Sequence, residues 1–366
     1  MSSAYSVVKS NKPDHGIHGR HGRNGKTDPT LIITDDKEKQ MATKRKTSSK
    51  RKKADVNVQA AIASGKSAAD EVIAFRAKQI RKRSAVENKL PTRRRAAGPP
   101  QRLPAKSRSL FGTRKTAGVI VAEGDSWFDY PMQDVLQVLE DDYLYDVESV
   151  AHKGDCVEDM AYSKGQFEEL ARRLEKLLRD GKVPNAILLS GGGNDIAGDE
   201  FAILLNHAAS SLPPLNESIV SGVVDIRLKD AYVSILSGLT TITKNYLGRP
   251  LPIVVHGYDH PVPDGRGFMG GWWALPGPWL KPGFTKKGHV DQAANTKLVA
   301  DLIDRFNTML QSVTSLPAFA HVHYLDLRHT LRNDASYKKD WANELHPSKS
   351  GFDLVTKKFA DVLAKL

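Results

Sequence analysis

Five short apolar runs, separated by longer helical patterns, limit what this chain can fold into more than any other feature. The runs are AGVIVAEG (117–124), YDVESVA (145–151), AILLSGG (186–192), PIVVHG (252–257) and HVHYLDL (321–327). Each has the length of a strand. The first, third and fourth are apolar enough to be covered on both faces, as strands of a parallel sheet are. Helical periodicity falls between them, at about 131–142, 157–180, 199–210, 218–247, 289–315 and 350–365. Such alternation, joined by right-handed crossovers, predicts an α/β/α sandwich. Ligands of these sheets gather outside the carboxyl ends of the strands, so functional residues are sought just after each run.

The pattern begins only at Ala117. Residues 1–115 carry 29 Lys and Arg against 9 Asp and Glu, net +20, whereas 116–366 carry 25 against 33, net −8. The whole-chain charge of +12 therefore describes neither part. The first part has few aromatics and little apolar surface to set against the entropy of ordering, so it is expected to be largely disordered. A short helix near 67–83, with Val72, Ile73 and Ile80 on one side, is the exception. Two domains follow, a basic tail (1–115) and an α/β body (116–366), and a chain lacking the tail is expected to keep the body's activity. KRKTSSKRKK (44–53) fits contact with nucleic acid or another anionic surface, and equally a solvated charge run. No stretch approaches the ~20 apolar residues of a membrane span. The start lacks a Sec-type leader, and the single cysteine, Cys156, fits a reducing compartment, so a cytoplasmic location is expected.

Four segments after the runs carry the chemistry. GDSW places Ser126 just beyond the first run, and a serine hydroxyl needs a base to become a nucleophile. AHKGDC places Gly154 after the second, where backbone can approach a ligand closely. SGGGNDIAG presents Asn194 after the third, an amide able to donate to a developing oxyanion. WANELHPSKSGF puts His346 just ahead of the last helix. Alone, Gly-Asp-Ser is a weak signal, because it also makes an ordinary turn and helix cap.

Together, and in this order, the segments resemble the SGNH/GDSL hydrolases, whose blocks are GDS, a glycine after strand two, GxND, and DxxH near the end. Here they read Gly124-Asp125-Ser126, Gly154, Gly192-Gly193-Asn194-Asp195 and Asn343-Glu344-Leu345-His346, and the resemblance covers roughly 117–366. It implies a five-stranded parallel, flavodoxin-like sheet and a Ser126–His346 pair. It also implies an oxyanion hole from the Ser126 N–H, the Gly154 N–H and the Asn194 side chain, with no metal or other cofactor. The chain departs from the pattern at Asn343, where the family has Asp. Asn343 can orient the imidazole but cannot stabilise the imidazolium by charge, and in a serine protease that exchange costs about 10⁴ in rate. Three arrangements stay open: Glu344 substitutes, a backbone carbonyl holds His346, or a Ser–His dyad suffices. Glu344 is preferred among them, and Asp340 is another carboxylate near enough to consider.

Other residues admit two readings. Cys156 reads as a small semi-buried residue and Asp195 as a brace for its loop. His256, Asp259 and His260 follow the fourth run in HGYDHP without a metal-ligand signature, and His256 is expected to line a substrate pocket. Residues 265–284 form a long Gly- and Pro-rich loop whose tryptophans, Trp272, Trp273 and Trp279, either wall the substrate site, Trp272 and Trp273 foremost, or cover the sheet's flank. The expected function is serine-dependent hydrolysis of a carboxylic ester, of an acylated carbohydrate, lipid or small acyl type. The alternative is a feebly active body of the same fold, carried to nucleic acid or an anionic surface by the basic tail.

Overall fold

The structure, a computed structural model, describes residues 29–87, 116–270 and 275–366, with side chains from Asp55 onward except at 86, 87 and 164. Expectations that fall on 1–28 and 88–115, and on Trp272 and Trp273, lie outside the described residues, as do those that rest on the side chains of the basic run 44–53.

All five apolar runs form strands: β1 (Gly118–Glu123), β2 (Tyr145–Ser149), β3 (Ala186–Leu189), β4 (Ile253–His256) and β5 (Val322–Leu325). They pair in parallel in the order β2-β1-β3-β4-β5. Every residue of β3 and β4 is buried, which is why those runs are apolar without alternation. The order reverses between β1 and β3. Chain leaving these two strands diverges there and opens a crevice at their carboxyl ends.

Helix α1 (Pro29–Glu87) precedes the sheet, and α2 (Val135–Asp141), α3 (Val157–Tyr162) and α4 (Lys164–Arg179) lie between its first three strands. Next, α5 (Glu217–Val220) runs through a π-helical stretch, Ser221–Leu228, into α6 (Lys229–Leu247). After β4 come α7 (Lys281–Lys286) and α8 (Gln292–Thr314), and α9 (Lys349–Leu363) closes the chain. Helix α2 pairs with α9, while α3, α4 and α8 gather around α6, giving the three layers of the sandwich. Ser348 caps α9 by accepting the Gly351 N–H at 3.2 Å, two residues beyond His346. Among the described residues no helix is long and apolar enough to cross a membrane.

The N-terminal side of the body differs from expectation. The chain divides into Met1–Ala54 and Asp55–Leu366, so the helical segment from Asp55 belongs with the sheet and not with a tail ending at 115. Val58, Ala61, Ala69 and Val72 are buried. At Gly65 a Cβ would lie 1.9 Å from the Ser234 carbonyl oxygen, so only glycine permits this approach of α1 to α6. Ser237 Oγ donates to the Ile62 carbonyl at 3.0 Å. Arg76 donates twice to the Glu175 carboxylate, at 3.0 and 2.5 Å, and Tyr246 donates to it at 2.9 Å. The segment 67–83 is thus one part of a longer helix. Its contact face is small residues and an ion pair, with Ile80 left exposed, so apolar periodicity alone understates it.

Candidate active site

Ser126, Gly154, Asn194 and His346 converge on one cleft of about 460 Å³, which Tyr130, Lys153, Phe268 and Trp279 also line. Ser126 leaves β1 and Asn194 leaves β3, so the cleft straddles the strand-order reversal. Asp125 fixes the spot. One carboxylate oxygen accepts the Trp127 N–H at 3.0 Å and the Ser190 hydroxyl at 2.7 Å. The other accepts the Tyr258 hydroxyl, which itself accepts the Gly193 N–H at 3.2 Å. One buried acid thereby ties together the ends of β1, β3 and β4.

Ser126 Oγ lies 2.7 Å from His346 Nε2. His346 Nδ1 lies 3.0 Å from Asn343 Oδ1, which also accepts the Leu345 and His346 backbone N–H groups at 2.9 Å each. Backbone N–H groups can only donate, so the Asn343 atom facing them must be its oxygen. That oxygen cannot donate, so Nδ1 carries the ring proton and Nε2 is left to accept from Ser126. Asn343 Nδ2 donates to the Tyr130 hydroxyl at 3.0 Å, which holds the amide in this orientation. The Tyr130 ring stacks on His346 with centroids 4.3 Å apart and planes 23° apart, and Trp279 meets it edge-on at 5.5 Å. Burial disfavours the imidazolium and lowers the His346 pKa to about 3.

Asn194 Nδ2 donates to the Asp155 carbonyl at 3.0 Å, which joins the loops after β2 and β3. Its second N–H has no acceptor among the described residues. The same holds for the backbone N–H groups of Ser126 and Gly154. Gly154 adopts φ +92°, a left-handed conformation that side chains resist.

Several expectations are corrected. Glu344 does not face His346. Its buried carboxylate accepts backbone N–H groups from Gly265 (2.8 Å), Trp279 (2.7 Å), Leu280 (2.7 Å) and Lys281 (3.1 Å), pinning both ends of the 265–281 loop. Asp340 is engaged with Arg332, at 2.7 Å. No backbone carbonyl holds the imidazole either, because Asn343 does. His256 lines neither recess at Ser126. It is fully buried among Trp127, Phe128, Tyr258 and Phe359, and burial lowers its pKa to about 4. Asp259 accepts four backbone N–H groups, from His260, His329, Thr330 and Leu331, and organises the turn after β5. Asp195 accepts the Val157 N–H at 2.9 Å, and burial raises the Cys156 thiol to about 12, which leaves it un-ionised. Among the described residues no group of side chains able to hold a metal comes together.

His256 also gives a stability prediction. Both His256 and His346 are neutral in the fold, with pKa values near 4 and 3 against an ordinary 6.5. The unfolded chain binds these protons first, so their contribution is complete above pH ~6.5 and is lost as pH falls toward 4 and 3. Nε2 of His256 has no hydrogen-bond partner and Nδ1 lies 3.2 Å from the Gly257 carbonyl, so His256→Leu removes the titrating ring at the cost of that one contact. Urea unfolding of His256→Leu is expected to show a smaller loss of stability between pH 6.5 and 4.5 than wild type, at unchanged kcat/KM. A fall in kcat/KM would return His256 to the site.

Trp279 of the 265–284 loop walls the cleft, while Tyr130 and Tyr258 carry no signal in the sequence that marks them as site residues. Tyr130 sits four residues after Ser126, but its partner Asn343 is 213 positions away, so only the folded chain connects them.

No family model matches the sequence, and no curated protein matches it. Among solved structures it is similar to a protein described as a GDSL-like lipase from Parabacteroides merdae, with 14% identity over 68% of this chain and 97% of that one, at a TM-score of 0.38. It is similar to a protein described as an SGNH hydrolase from Slackia heliotrinireducens (13% identity, 67% and 98% covered, TM-score 0.35). It is also similar to a carbohydrate esterase of family 3 from Talaromyces cellulolyticus (13% identity, 68% and 97% covered, TM-score 0.33).

Proposed function

We propose that the body is a carboxylic ester hydrolase that works through an acyl-enzyme on Ser126. The observation that carries this reading is the line Ser126–His346–Asn343, with the tautomer fixed so that Nε2 is the free base. His346 takes the hydroxyl proton as Ser126 Oγ bonds to the ester carbon. The carbonyl oxygen, now anionic, meets the N–H groups of Ser126, Gly154 and Asn194 that lack acceptors. The alkoxide leaves with the proton from Nε2. Water then repeats the sequence in reverse, losing its proton to His346 and releasing the acid.

Asn343 brings no charge to the imidazolium formed in each step. The stacked Tyr130 ring offers its π face instead, an attraction of about 0.5–2 kcal/mol. Tyr130→Phe keeps the ring and removes the acceptor of the Asn343 amide. It is expected to lower kcat by about 3- to 10-fold with KM unchanged, consistent with one hydrogen bond of about 1 kcal/mol. An unchanged kcat would remove the Tyr130 hydroxyl from the machinery. Fluorophosphonate labelling followed by peptide mapping tests the reading itself. A single adduct on Ser126, absent in Ser126→Ala, is expected, and an adduct that survives this substitution would refute it.

A further inference from the structure

Two recesses meet at Ser126, and they differ in kind. The outer one is the open cleft described above, with Tyr130, Lys153 and Trp279 in its wall. The inner one is a cavity of about 60 Å³ that shares Ser126, Asn194, Leu345 and His346 with the cleft and runs beneath α8. Ile196, Phe201, Leu280, Val299, Leu302 and Phe306 wall it. The polar side chains deeper in that wall are occupied. Asp125 accepts from Trp127, Ser190 and Tyr258, and Asp259 accepts four backbone N–H groups. Nothing there is left to bind a polar group, so the cavity suits hydrocarbon.

Resting on the acyl-enzyme reading, we infer that this inner cavity is the acyl pocket and selects esters of short, unbranched carboxylic acids, of about two to four carbons. The direction follows from the order of events. The alcohol must leave while the acyl group stays bonded to Ser126, and the deacylating water must enter where the alcohol was. An alcohol in the narrow inner recess would have to leave past the acylated serine, whereas one in the far wider outer cleft leaves freely. The length follows from volume. An apolar cavity of about 150 Å³ holds a benzene ring. One of about 60 Å³ does not, and takes a short chain. The outer cleft, several times larger and partly polar, leaves the alcohol far less restricted.

The test is kcat/KM for p-nitrophenyl acetate, butyrate, hexanoate and octanoate, with Ser126→Ala as the blank. Each methylene that fits is worth about a fourfold rise. Wild type is expected to peak at acetate or butyrate and to fall at least ~10-fold by octanoate, once chains outgrow the cavity. Leu302→Ala and, as a gentler change, Val299→Ala enlarge the cavity. At least one is expected to raise the octanoate-to-acetate ratio by about 10-fold. A flat wild-type profile, or an unchanged ratio in both folded variants, overturns the pocket assignment while leaving Ser126 as nucleophile. Comparing ethyl octanoate with octyl acetate separates the two recesses. If Leu302→Ala improves the long alcohol and not the long acid, the assignment is reversed and the proposal fails. If wild type turns over no ester, the acyl-enzyme reading fails and the pocket with it.

Discussion

Replacing His346 with alanine is expected to lower kcat toward a short-chain ester by about 10⁴- to 10⁶-fold, the range seen when a serine hydrolase loses its base. Its Nε2 is the group placed to take the Ser126 proton, at 2.7 Å. Asn343→Ala should cost about 10³-fold, because it leaves Nδ1 without an acceptor and frees the imidazole to adopt the other tautomer. It also strips the Leu345 and His346 N–H groups of their shared acceptor. Asn343→Asp is the informative counterpart. A carboxylate keeps all three acceptor contacts and favours the imidazolium, so the His346 pKa rises from about 3. Below its pKa the base is protonated and inactive. The acid limb of the kcat/KM profile therefore moves to higher pH in Asn343→Asp, while wild type stays active further into acid. An unshifted limb would show that His346 does not govern it.

A chain that begins at residue 116 is expected not to form a stable body, whereas one that begins at Asp55 is. Removing the segment from Asp55 uncovers the α6 surface that Gly65 approaches, together with the contacts of Val58, Ala61, Ala69 and Val72. It also leaves the Glu175 carboxylate, 9% exposed, with only the Tyr246 hydroxyl as partner. Breaking a buried ion pair from one side costs about 3–5 kcal/mol, against a total stability of about 5–15 kcal/mol. Arg76→Ala alone should therefore lower the urea midpoint markedly, and adding Glu175→Leu should recover part of the loss, since the stranded charge is gone. Equal midpoints for chains starting at 55 and 116 would contradict this account and restore the boundary at 115.

The fold was legible because a parallel sheet buried on both faces leaves runs such as AILL and IVVH with no alternation, and every run became a strand. Three of the four site blocks were legible for a related reason, since each follows a strand directly and the topology brings strand ends together. His346 lies further from its strand, and its place was marked by the resemblance more than by position. The third member of the line stays open in the sequence between Asn343 and Glu344. Asn343 lacks the charge the chemistry ordinarily uses, which drew attention to Glu344, whose carboxylate instead secures a loop. What makes Asn343 adequate is two backbone N–H groups and the distant Tyr130, none of which sequence pattern can weigh. Helix α1 was underestimated because its buried face is small residues and Arg76, a composition that resembles solvated tail. His256 was misplaced because a strand's last residue can point either into the crevice or into the layer behind it.

Hydrolysis of p-nitrophenyl butyrate by wild type and Ser126→Ala, with folding of both verified by circular dichroism, tests the central claim most directly. Wild type is expected to turn the ester over with an initial burst of nitrophenolate, and the variant to lose both burst and turnover by at least ~10³-fold. Equal rates for the two folded proteins would contradict it.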